Sequence, residues 1–129
     1  MIKETIKLLN KKDICDGVVE LEFSKPKGFE FKVGQYCNLY MVDAEVAHGK
    51  SYTIVSLNKD ENLSFSVRKR GPFSTHLHNL KVGDEMIMEG PEGLFLFEDY
   101  KDGLIFIGAG IGIAPLVNYL KFLMPFCFY

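Results

Sequence analysis

Four stretches of this chain hold residues that could do chemistry. Residues 50–53 read Lys50, Ser51, Tyr52, Thr53, which sets a cation and two hydroxyls around one aromatic ring. A ring can stack on a flat heteroaromatic group, a hydroxyl can bond its edge, and a cation can balance phosphate charge. These four residues alone fit a plainer reading better, with Tyr52 in a core and Lys50 at a solvated strand end. Residues 67–75 read V-R-K-R-G-P-F-S-T, so Arg68, Lys69 and Arg70 run into Gly71 and then into a short helix. Free amides and the dipole at a helix start favour an anion, and glycine admits close approach of backbone to a ligand. An exposed hairpin end with ordinary charges is the competing reading.

The third stretch, residues 108–115, reads G-A-G-I-G-I-A-P after an apolar run at 104–107. A glycine turn between strand and helix is the context in which such a motif binds a nucleotide. The fourth, residues 31–36, reads F-K-V-G-Q-Y and by itself is no more than a turn into a strand. The remaining reactive residues form no site. His48 sits in a polar loop, and His76 and His78 lie two apart on a short helix, facing different ways. Cys15, Cys37 and Cys127 are too far apart for a metal knot, and their odd number argues against a disulfide scaffold.

Short strands must position these residues. Residues 18–23 alternate Val19, Leu21 and Phe23 against Glu20 and Glu22, the period of a strand with one wet face. Residues 63–68 repeat the pattern with Leu63, Phe65 and Val67. Further strands are expected over 5–9, 36–42, 51–55 and 85–89, with polar turns at 24–28, 58–62 and 81–84. Six strands at this spacing predict an antiparallel barrel or sandwich. Ser74 is expected to cap a helix over 75–80. After Gly90 and Pro91 the pattern changes to a buried strand at 104–107, a glycine turn, Pro115 at a first helical position, and a helix over 116–124.

Composition sets outer limits. The chain has 129 residues, 47% of them hydrophobic, which suits one ordinary core. Net charge is −2, so no basic face invites nucleic acid. Lys121 is the single charge in 103–129, but the glycines of its first half and Pro115 favour strand plus helix over a membrane span. The N-terminus reads as no signal peptide, and a reducing cytoplasm is the default.

Taken in order, F-x-x-G-Q-Y, K-S-Y-T, R-G-P-F-S-T-x-L-H-x-L-K-x-G-D, G-P-E-G-x-F and G-I-G-I-A-P resemble the ferredoxin–NADP reductase superfamily over nearly the whole chain. The resemblance implies a mainly β fold. It has a six-stranded antiparallel Greek-key FAD-binding barrel over 1–100, with one short helix, then a single βα unit of a Rossmann-like NAD(P)-binding domain over 101–129. It implies a flavin-dependent oxidoreductase passing electrons from NAD(P)H through FAD to an acceptor or redox partner protein. Lys50, Ser51, Tyr52 and Thr53 would hold the flavin, with Tyr52 stacked on it. Val67, Arg68 and Lys69 would line it through backbone groups, Gly71, Ser74 and Thr75 would hold its pyrophosphate, and Gly110 and Gly112 would face the nicotinamide nucleotide. The family's usual arginine is Lys50 here, which loses a bidentate fork and opens the choice between FAD and FMN. The nucleotide domain is expected to be cut short, by nature or by an incomplete gene reading, leaving flavin binding with little NAD(P)H activity. The alternative is a non-catalytic flavin-binding fragment or interaction module, homo-oligomeric through its apolar C-terminal unit.

Overall fold

A computed structural model describes residues 1–43, 49–93 and 105–123. The strands are β1 (Ile2–Cys15), β2 (Val18–Ser24), β3 (Tyr36–Met41), β4 (Lys50–Thr53), β5 (Asn62–Arg68) and β6 (Glu85–Glu92). Helix α1 (Pro72–His78) lies between β5 and β6, and a 3-10 turn at Gly110–Ile113 leads into α2 (Ala114–Leu123). All six strands form one antiparallel sheet in the order β4-β3-β6-β1-β2-β5. The sheet curls until its two edges meet at one bridge, Ile54 to Phe65, reinforced by the Val55 amide donating to the Ser64 carbonyl at 3.0 Å. The result is a nearly closed barrel with two short helices, as the sequence pattern predicts.

The alternation read in the sequence is the alternation of the core. Val19, Leu21 and Phe23 of β2 point inward with Leu63, Phe65 and Val67 of β5, and Phe23 meets Phe65 edge to face at 6.1 Å between centroids. Ile6, Leu8, Leu39, Met86 and Met88 complete the interior, and Leu77 of α1 plugs one end. Burying side chains of this size contributes roughly 1.5–3 kcal/mol each against the entropy of ordering them.

β1 is longer than the strand expected over 5–9, because its two halves serve different partners. Ile2 to Lys7 pair with β6, whereas Leu8 to Cys15 pair with β2 across a register shift between Leu8 and Asn10. Such a shift bends a strand and lets one segment turn a barrel corner. In the F-K-V-G-Q-Y stretch, Gly34 takes φ +90, a conformation that needs glycine, and so makes the turn into β3. Gln35 holds that turn: its side chain accepts from the Lys32 amide and donates to the Gly93 carbonyl, and its carbonyl accepts from Ile54.

Three expectations are corrected. The α1 N-cap is Gly71, not Ser74, and the helix is Pro72–His78 rather than 75–80. Proline fits the first helical position, where an amide would have no partner anyway, and so it fixes the start. Residues 105–107 of the expected strand at 104–107 make no sheet pairing, with Ile105 90% and Ile107 89% exposed; Leu104 lies outside the described residues. A parallel strand needs a neighbouring strand to bond its backbone, and none lies beside it among the described residues. α2 begins at Ala114, two residues before the expected position, and Met124 is outside the described residues. His48 and Cys127 are outside them too.

Cys37 is fully buried in β3, and burial, with the Glu92 carboxylate as a lesser cause, pushes its thiol up to about 12. The folded state therefore holds this proton more tightly than the unfolded chain does. Its contribution to stability is intact below the free-thiol range and fades as pH rises towards 12. At pH 8, a thiol reagent is expected to modify exposed Cys15 and spare Cys37 until denaturant is added, as read by peptide mass.

Candidate functional site

The incomplete seam makes the site. Beyond the Ile54–Phe65 bridge, β4 and β5 diverge and leave a cleft of about 530 Å³ between them. Its walls are Lys50, Ser51, Tyr52 and Thr53 of β4, Ser66 and Arg68 of β5, and Arg70 to Ser74 at the start of α1. Ile111 and Ala114, from the 3-10 turn and α2, close another side. Among the described residues, three cations, Lys50, Arg68 and Arg70, line this cleft and no carboxylate does, although the chain as a whole is acidic.

Tyr52 is half-buried beside the Phe73 ring, with centroids 6.4 Å apart and planes 17° from parallel. Burial raises its phenol pKa, so the hydroxyl stays protonated and can donate. Ser51 donates to Asn38 Oδ1 at 2.5 Å, which pins β4 to β3. Lys69 donates its amide to the Gly17 carbonyl at 2.9 Å. Strand alternation therefore turns the Arg68 peptide the opposite way, towards the open edge.

The residues singled out in the sequence divide clearly. Lys50, Ser51, Tyr52, Thr53, Arg68, Gly71 and Ser74 converge on the cleft. Val67, Lys69 and Thr75 do not line it. The Val67 side chain is in the core, and its carbonyl accepts from His78 Nε2 at 2.8 Å. The Thr75 amide closes the first turn of α1 on the Gly71 carbonyl. Ser74 lines the cleft, but its hydroxyl is committed. It accepts from the Arg70 and Gly71 amides at 2.7 and 3.0 Å and reaches the Gly71 carbonyl at 3.2 Å. Its part is to shape the loop.

Gly110, with φ +58, and Gly112 lie in the 3-10 turn; a Cβ on Gly110 would come within 3.8 Å of the Arg68 guanidinium. Gly110 faces a neighbouring apolar cavity, also about 530 Å³, which shares Ser66, Arg68, Ile111 and Ala114 with the cleft. Ser66, Arg70, Pro72, Phe73, Ile111 and Ala114 also line the cleft and were not singled out in the sequence. Arg70 belonged to the run of three bases; β5 ends at Arg68, and the path of the chain into α1 brings Arg70, and not Lys69, to the cleft. No sequence signal marks Ile111 or Ala114, since tertiary packing brings them there. No group of His, Cys, Asp and Glu among the described residues could hold a metal ion, and His76 is exposed while His78 faces Val67.

An aromatic platform, a strand edge and three cations converging on one opening define a barrel built to hold an aromatic group that carries phosphate. Residues 5–97 match the family described as the oxidoreductase FAD-binding domain, and the chain belongs to that family, of ferredoxin–NADP reductase type. The flavohemoprotein of Bacillus subtilis is 34% identical over 85% of this chain and 28% of its own length. Dual oxidase 1 of Rattus norvegicus is 29% identical over 92% of the chain and 8% of its own. Among solved structures, the ferredoxin–NADP+ reductase of Plasmodium falciparum with 2'P-AMP superposes with TM-score 0.85 and 27% identity, covering 96% of this chain and 53% of that one. The ferredoxin NADP+ reductase of Neisseria gonorrhoeae with bound FAD and NADP gives 0.81 and 26%, covering 92% and 50%. The chain thus spans about half the length of these reductases and less of the flavohemoprotein and the dual oxidase. Among the described residues no helix is long and apolar enough to cross a membrane.

The donor set fits FAD. A flavin ring matches the Tyr52 face and strand edge, and a pyrophosphate matches the Lys50, Arg68 and Arg70 cations. Replacing Ser74 with alanine leaves the Arg70 and Gly71 amides without their acceptor. The Ser74→Ala variant is expected to lose about 1–3 kcal/mol of stability in urea unfolding, with the change centred on this loop.

Proposed function

We propose that the chain is the flavin-holding module of an NAD(P)H-dependent oxidoreductase that passes electrons to an acceptor or redox partner protein. The observation that carries this reading is the cleft at the open seam, which joins an aromatic face to three cations, Lys50, Arg68 and Arg70. Tyr52 supplies the stacking face. Thr53 and the outward peptide of Arg68 offer hydrogen bonds to the ring edge. Arg70 and Lys50 balance pyrophosphate charge, with Gly71 open to close approach because nothing lies within 4 Å of a Cβ there. When bound, the flavin supplies the electron-transfer chemistry, and the protein supplies orientation, electrostatics and exclusion of water.

Two guanidinium groups in the cleft offset the fork lost at Lys50, which supports FAD over FMN. Gly110 and Arg68 line the cavity beside the cleft, on the side from which a nicotinamide nucleotide would approach the flavin, with Gly112 in the same turn; the bound FAD and NADP of the Neisseria gonorrhoeae reductase support a nicotinamide nucleotide as the second ligand. The free thiols of Cys15 and Cys37 are in keeping with a reducing compartment.

The test is a visible spectrum of the protein after incubation with FAD and desalting, with the released chromophore identified. One FAD per chain is expected. Tyr52→Ala is expected to raise the FAD Kd by about tenfold or more, from the roughly 1–3 kcal/mol of one base–aromatic stack. A folded protein that retains neither FAD nor FMN would overturn the reading.

A second reading concerns the apolar segment after the barrel. Ile105, Ile107, Ile113 and Phe122 are 90, 89, 42 and 61% exposed, an apolar surface of the kind that finds a protein partner. It favours self-association through residues 105–123. Sedimentation across a hundredfold concentration range is expected to show a dimer that Phe122→Glu converts to monomer; a monomer throughout would remove this reading.

A further inference from the structure

Asn118 is 0% exposed in the middle of α2. Asparagine gains little inside a helix, and burying its amide is costly unless both ends are bonded. Both are. Oδ1 accepts from the Gly34 amide at 3.2 Å, and Nδ2 donates to the Ser56 carbonyl at 2.6 Å. An amide N–H can only donate and a carbonyl can only accept, so the side chain has one orientation here.

The two partners are informative. Gly34 precedes β3 and Ser56 follows β4, so they flank the strand pair that carries residues 50–53. Next to Gly34, the Gln35 carbonyl accepts from Ile54 at 3.0 Å; at Ser56, the hydroxyl accepts from the Ser64 amide at 3.0 Å. Asn118 is therefore tied to the β3–β4 side of the seam, next to the Ile54–Phe65 bridge, and through the Ser56 hydroxyl to the β5 side. One turn further along α2, Lys121 Nζ reaches the Val55 carbonyl at 3.4 Å. At the other end of the same helix, Ala114 and the preceding Ile111 wall the cleft.

We propose that Asn118 is a positioning residue. It seats α2 on the barrel seam and so fixes the wall that Ile111 and Ala114 present to the FAD cleft. It touches no reacting atom and acts through the helix. The inference rests on the reading of the cleft as the FAD site. Without the clamp, α2 loses its buried polar anchor while the barrel keeps its sheet, and that side of the cleft opens to solvent.

Amide hydrogen exchange on the full chain, combined with FAD release and iodide quenching of flavin fluorescence, tests this. Asn118→Ala removes both bonds. Asn118→Asp, nearly isosteric, keeps an acceptor for Gly34 but turns a second oxygen on the Ser56 carbonyl, and it serves if the alanine variant does not fold. Amides of α2 are expected to exchange about tenfold faster in either variant, while those of β2 and β5 stay as in the parent. FAD release is expected to accelerate about tenfold, with greater access to iodide. Unchanged exchange of α2 would overturn the proposal. Faster α2 exchange with parental FAD release and quenching would overturn it as well, since a merely structural amide behaves that way. If the folded parent retains no FAD, the cleft reading fails instead, and the exchange of α2 alone then decides whether Asn118 seats the helix.

Discussion

The bridge between Ile54 and Phe65 sets the shape on which everything else depends. A six-stranded sheet with this order has β4 and β5 as its edges, and each edge carries a row of unpaired peptide groups. Full pairing would close the barrel and leave no room for a ligand. No pairing would leave two open edges prone to aberrant association. One bridge does neither: it joins the edges at the level of the buried Ile54 and Phe65 and lets them separate towards Lys50 and Arg68. The cleft is the remainder of an edge that the fold does not satisfy by itself. Hydrogen-bonding groups that the sheet leaves over become available to a ligand, without strained backbone and without a polar group placed in the core.

Charge follows the same geometry. The chain carries 17 acidic and 15 basic side chains, so a lining with three cations and, among the described residues, no acid is not an average of its surface. The end of β5 and the path of the chain into α1 bring Arg68 and Arg70, and not Lys69, to the cleft. The Ser74 hydroxyl then draws the Arg70 and Gly71 amides inward, which determines the path of the chain between β5 and α1. Preorganisation of this kind lowers the cost of binding an anion, because the loop is already ordered before the ligand arrives.

The barrel was legible because period-2 alternation is a strong and local signal. Val19, Leu21 and Phe23 could face one way only, and Leu63, Phe65 and Val67 had to match them. Lys50, Ser51, Tyr52 and Thr53 were grouped at once because they are continuous in the chain, although by themselves they fit a core reading better. The other half of the site was less legible. Ser74 has the chemistry of an N-cap, but Pro72 starts the helix earlier and turns that hydroxyl back on the preceding amides. Val67 and Lys69 were expected to face the ligand, yet the choice of which peptides face the open edge depends on which residue pairs with Gly17, and that register is a tertiary fact. Ile111 and Ala114 reach the cleft only through the seating of α2, about which the sequence is silent. The apolar run at 104–107 looked like a strand because composition reports burial, whereas a strand exists only where another strand bonds it.

α2 shows how weakly composition speaks for a single polar residue. Asn118 lies in the helix Ala114–Leu123, among Leu116, Val117, Tyr119 and Leu120, and in sequence it reads as a lapse in an apolar face. In the fold it meets complementary backbone groups, a donor at Gly34 and an acceptor at Ser56. A hydrophobic side chain of equal size would bury as much area, yet it would leave those two groups unpaired and would accept several helix rotations. The amide accepts one. Apolar packing by Leu116 and Tyr119 supplies attraction between α2 and the barrel, and the amide supplies its registration. That division matters for the cleft because its helix-side wall is made of Ile111 and Ala114, whose positions follow from the rotation and height of α2.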